Sequence, residues 1–215
     1  MLKRLFAAAA LIAASFSFTA APASAHPHVW VTVKSELNYG SDGALTGVRH
    51  AWTFDEAFSS YALQGLETTA DGKPSEKTLR ELAQVNIESL GEFDYFTYAR
   101  QGKDGFSFAP PKDYFLTHGG TQLTLHFTLP LQKPLASKGR TEIDVYDPTY
   151  FVAFQLADKE PIKLAGSPQA CALTLQRPQN APTETATLSE GFFDALTSSS
   201  DFGAQFSNKA TVNCP

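Results

Sequence analysis

Three residues, His26-Pro27-His28, concentrate the chemistry of this chain. They follow Ala23-Ser24-Ala25, the small-x-small pattern after which a signal peptidase cuts. Cleavage there would create a mature terminus carrying an α-amine, the His26 imidazole and the His28 imidazole within three residues. A terminal histidine chelates through its amine and ring Nδ1 together, a donor pair suited to Cu, Ni, Co or Zn. The square-planar site that a third-position histidine often completes needs deprotonated amides at positions two and three. Pro27 has no N–H to lose, so that site is excluded and further ligands must come from the fold. The competing reading is that both histidines are solvated and merely follow the cleavage point.

Two acidic positions are candidates for the remaining ligands. Asp55 and Glu56 follow the segment 44–54, which reads as the second strand of a hairpin with 29–39 about the turn Gly40-Ser41-Asp42-Gly43. That pairing returns Asp55 and Glu56 to the neighbourhood of His26 and His28. Asp55 is equally suited to cap a helix and Glu56 to favour its first turn. Asp147, in Tyr146-Asp147-Pro148-Thr149-Tyr150, is either a turn residue before proline or a second oxygen ligand.

The other histidines point elsewhere. His50 shares a strand face with Val48, Trp52 and Phe54 and reads as a satisfied core residue. His126 lies with Gln122, Thr124 and Thr128 on what reads as a solvated face, and His118 precedes the turn at Gly119-Gly120. Whether any of them reaches the terminus is left to the fold. The loop from Glu67 resembles half a calcium loop, but Thr69 and Thr78 stand where oxygen-rich ligands are needed, so calcium is excluded there.

The elements that must position these residues are mostly strands. Alternation marks 29–39 and 44–54, and further β-rich segments follow at 93–100, 114–118, 122–129, 141–146, 150–156, 170–176 and 210–214. Helices are expected from Asp55 to about Leu66, with Phe58, Tyr61, Ala62 and Leu66 available to pack, and over 76–90, ended by Gly91 as a C-cap. A short helix is expected over 189–197. The architecture is α+β: a mainly antiparallel sheet or sandwich with an inserted helical hairpin at about 55–90. Cys171 and Cys214, without zinc-type spacing, read as one disulfide in an oxidising compartment, worth roughly 4 kcal/mol by loop entropy.

The chain of 215 residues opens with a basic start, Lys3-Arg4, and an apolar run too short to span a bilayer. Residues 1–25 are expected to be a signal peptide and 26–215 a single periplasmic domain, not membrane-spanning after cleavage. The charge is −5, and cleavage makes it more acidic, which argues against nucleic-acid binding. With 43% hydrophobic residues, a packed core is possible.

Four segments together carry a resemblance: His26-Pro27-His28-Val29-Trp30-Val31; Trp52-Thr53-Phe54-Asp55-Glu56-Ala57-Phe58-Ser59; Tyr146-Asp147-Pro148-Thr149-Tyr150-Phe151-Val152-Ala153-Phe154; and the late Cys171 and Cys214. In this order they resemble a bacterial periplasmic family of unknown function, labelled an uncharacterised ABC-type transport system component. The resemblance implies nickel, cobalt or zinc handling with an inner-membrane transporter as partner. The function expected from residues and resemblance together is a non-enzymatic metal-binding accessory protein. Its ligands would be drawn from His26, His28, Asp55 and Asp147. The alternative is a metal-independent interaction module. No nucleophile–base pair, phosphate loop or dinucleotide fingerprint supports an enzyme.

Overall fold

The computed structural model describes residues 24–178, 188–189 and 202–215. The expected signal segment lies outside them up to residue 23, as does the expected helix 189–197 apart from Ser189, which is in a strand.

The hairpin forms as its alternation requires. β2 (Val29–Tyr39) pairs antiparallel with β3 (Leu45–Phe54). Val31, Val33, Leu37, Val48 and Trp52 are turned inward and buried. β3 then pairs with β7 (Gln122–Leu135), and β7 with β6 (Lys112–Gly119) across a tight turn in which Gly120 takes a φ of +63°. The outer edge of β2 is shared by two strands in succession. β9 (Val152–Leu156) and β10 (Ile162–Ala165) both run parallel to it. The first sheet is therefore mixed, although antiparallel pairs dominate the molecule.

The second sheet is wholly antiparallel, in the order β11 (Ala172–Gln176), β13 (Asn208–Cys214), β8 (Gly139–Val145), β4 (Thr97–Gln101), β5 (Asp104–Phe106). The sheets share one core, in which Val31, Trp52 and Phe127 meet Ala99, Ile143 and Val212. The Cys171–Cys214 disulfide forms and ties β13 to the chain just before β11. A short pair, β1 (Ser24–His26) with β12 (Leu188–Ser189), lies apart from both sheets.

The helical insertion has the expected cap at Asp55 and a second one at Ser75. Asp55 Oδ1 accepts from Phe58 N at the start of α1 (Glu56–Leu63), and Ser75 Oγ accepts from Thr78 N at the start of α2 (Glu76–Leu90). Of the residues expected to pack, Phe58 and Ala62 meet the core, whereas Tyr61 and Leu66 are exposed. Ser59 in α1 and Ala83 and Ile87 in α2 are buried. Ser59 Oγ accepts from Leu123 N at 3.0 Å, so this buried hydroxyl ties α1 to β7. Gly91 does not stop the chain in a left-handed cap. It stays right-handed and leads into a 3₁₀ turn, Gly91–Phe96. The strand expected from residue 93 therefore begins only at Thr97.

Candidate functional site

His28 immediately precedes β2. Its backbone N–H donates to Phe151 O at 2.9 Å, and its exposed ring meets the Phe151 ring at a tilt, with centroids 4.6 Å apart. Pro27 before it is buried and Val29 after it faces the core, so alternation alone turns the His28 ring outward. The backbone of His26 pairs with Leu188 in β1; its side chain lies outside what the structure describes.

The expected return of Asp55 to this end of the sheet is observed. Asp55 N donates to Trp30 O at 2.9 Å, and Asp55 Oδ2 accepts from Trp30 N at 2.8 Å. With Oδ1 on Phe58 N, the carboxylate ties the start of α1 to the start of β2. Each oxygen spends one acceptor position and keeps another. The same side chain borders a small polar cavity of about 50 Å³ shared with Thr32, Gln122 and Gln155.

Asp147 also comes to this end, in a more closed setting. Its Oδ1 accepts from both Thr149 N and Thr149 Oγ1 at 2.8 Å, and Oδ2 accepts from Val152 N at 2.9 Å. It is buried, and three donors satisfy it. The carboxylate holds the turn that presents Phe151 and starts β9. Val152 pairs with Val29, so the turn held by Asp147 leads into the strand beside the start of β2.

The remaining histidines do not join them. His50 is 1% exposed and bridges the two sheets, with Nδ1 2.8 Å from Ser35 Oγ and Nε2 3.2 Å from Thr97 Oγ1. The Thr97 hydroxyl donates to Tyr95 O, so it accepts from Nε2–H, and Nδ1 accepts from Ser35. Burial pushes the His50 pKa down to about 3. His126 is half-buried, stacks on Phe115 and meets Thr117 Oγ1 at 3.1 Å. Burial, and then the charge of Arg49, lower its pKa. His118 is half-buried at the end of β6, opposite Leu123. Among the described residues, no three His, Cys, Asp or Glu side chains converge as a metal cluster.

One feature of this end was not read from the sequence. An almost wholly apolar cavity of about 450 Å³ opens beside Phe151, walled by Val29, Trp52, Phe58, Phe93 and Phe96. Phe93 and Phe151 are 51% and 46% exposed. The indole N–H of Trp52, at 1% exposure, has no hydrogen-bond acceptor among the described residues. Asp94, Tyr95, Phe96 and Tyr150 adopt left-handed backbone, with φ of 51°, 53°, 46° and 58°. Such conformations cost non-glycine residues energy and gather at binding sites. The aromatic segments at 93–96 and 150–154 were the available signal, but alternation assigned both to strands.

The profile of a family described as "protein of unknown function (DUF1007)" matches residues 11–214. A Haemophilus influenzae protein named only as uncharacterized is 27% identical over 191 residues, covering 88% of this chain and 91% of the relative.

Proposed function

We propose that this chain, which belongs to the DUF1007 family of proteins of unknown function, is a periplasmic accessory protein for transition metals. After processing before His26 it would bind one Zn, Ni, Co or Cu ion as cargo and exchange it with an inner-membrane transporter. The observation that carries this reading is the setting of His28: an exposed imidazole on a backbone anchored to Phe151, at the end of the sheet that also holds Asp55. The donors assigned to the ion are the terminal amine and ring of His26, the ring of His28 and a free lone pair of Asp55. Asp147 is assigned to the turn, because its acceptor positions are mostly taken. Imidazole ligation implies that affinity falls below about pH 6, where protons compete for the ring nitrogens.

The test is titration of the protein beginning at an authentic His26 with Zn, Ni, Co and Cu. A form with one extra residue ahead of His26 serves as control. One tight ion in the first and none in the second is the expected outcome. Equal binding by both would remove the terminal amine from the site, and binding by neither would overturn the reading.

A second reading is a metal-independent interaction module. It is favoured by the apolar cavity and its exposed aromatic rim. Under it, Phe93→Ala and Phe151→Ala would weaken association with the transporter while added metal and chelator make no difference.

A further inference from the structure

A second cavity, of about 500 Å³, opens on the face of the second sheet turned away from the core. Alternation places Ala99, Ile143 and Ala210 inward, and Arg100, Asp144 and Lys209 on this opposite face. Three cations, Arg100, Arg177 and Lys209, line the cavity against one carboxylate, Asp144.

Part of this charge is already matched. Arg100 Nε lies 2.5 Å from Glu142 and its Nη2 3.3 Å from Asp144. Lys209 Nζ lies 3.4 Å and 3.3 Å from the same two residues, and Ser207 Oγ donates to Asp144 Oδ1 at 2.8 Å. Arg140 adds a third cation to Glu142 at 2.6 Å. Arg177 differs. Its Nη1 and Nη2 donate to Leu156 O and Ala157 O at 2.5 Å and 2.7 Å, which orients the guanidinium without neutralising it. Among the described residues it forms no ion pair. The described residues take two of its five N–H donors. Among the described residues, Arg100, Arg140, Arg177 and Lys209 thus stand against Glu142 and Asp144, in a chain whose net charge is −5.

We propose that this cavity binds a small organic oxyanion carrying at least two negative charges, of the carboxylate or phosphoryl class. The local positive excess supplies the attraction, and the oriented Arg177 fork suits the planar or tetrahedral oxygens of such a group. Gln176, Gln205 and Ser207 add neutral polar groups to the wall. The site is remote in sequence from the terminal histidines and does not depend on the metal reading.

The experiment is calorimetric titration of the mature protein in metal-free, low-salt buffer with citrate, pyrophosphate and acetate. Saturable one-to-one binding of citrate or pyrophosphate is expected, with acetate weaker by about tenfold or more. The anion that binds more tightly identifies carboxylate or phosphoryl chemistry. Arg177→Gln should weaken binding about tenfold, and Arg140→Gln, which removes the same charge outside the cavity wall, by less than about threefold. Ala204→Trp fills the cavity without altering any charge and should abolish binding. It keeps the test decisive if Arg177→Gln fails to fold. The one-residue extension ahead of His26 should leave anion binding unchanged, which separates this site from the metal site. No saturable binding by folded protein, or equal losses in Arg177→Gln and Arg140→Gln, would overturn the proposal.

Discussion

At the scale of single residues, His50 and Asp55 have the clearest consequences. His50 has a pKa of about 3 in the folded protein, against about 6.5 in an unfolded chain. Between those values the unfolded chain binds a proton that the native state does not, so stability falls as pH falls. The loss is about 2 kcal/mol from pH 6.5 to pH 5 by linkage. Urea unfolding at the two pH values measures it, and His50→Leu should flatten the dependence while lowering stability at pH 7. An unchanged slope in that variant would reject the assignment. Asp55 both caps α1 and accepts from Trp30 N, so Asp55→Ala should cost about 2 kcal/mol in thermal or urea unfolding. Asp55→Asn keeps part of the cap. A loss of metal affinity with little loss of stability in Asp55→Asn would mark Asp55 as a ligand; unchanged affinity would leave it a cap.

At the scale of elements, the turn from Asp147 to Phe151 is the most closely specified piece of the candidate site. The Asp147 carboxylate holds it from within, and Gly203 packs beneath it with its N–H donating to Pro148 O at 2.7 Å. A Cβ on Gly203 would overlap the Asp147 carbonyl oxygen. Gly203→Ala should therefore displace the turn and cost about 1–3 kcal/mol, the range of overpacked sites. A lowered melting temperature together with a changed His28 ring signal in NMR is the expected result. An unperturbed His28 would show that the terminal strand does not depend on this turn.

At the scale of the whole molecule, two sheets share one core, and a covalent bond anchors the C-terminal strand. β13 lies between β8 and β11 in the second sheet, and Cys214 at its end is bonded to Cys171. Residues 171 and 214 are separated by 43 positions, so the bond restricts the unfolded chain by roughly 4 kcal/mol in the loop-entropy account. Unfolding with and without reductant, and of the Cys171→Ser/Cys214→Ser variant, should show a loss of that order. A loss below about 1 kcal/mol would mean that β13 is held by the sheet alone.

The elements that could be read from sequence were those with strong local signals. Alternation in 29–39 and 44–54, the cap Asp55, the turn at Gly119-Gly120 and the core placement of His50 all depend on near neighbours. The mixed first sheet did not show in this way. Parallel strands β9 and β10 look locally like any others, and their direction is set only when they reach β2. The 3₁₀ turn at 91–96 overrode the β-rich composition of that segment, because Gly91, capping α2, stays right-handed and leads straight into it. For the candidate site, hairpin logic was enough to bring Asp55 beside the terminal strand. It could not show that backbone amides occupy the Asp147 carboxylate, or that the Phe151 ring contacts His28. Nor could it show cavities walled by residues from many parts of the chain. Those features join groups far apart in sequence, and no local period encodes them.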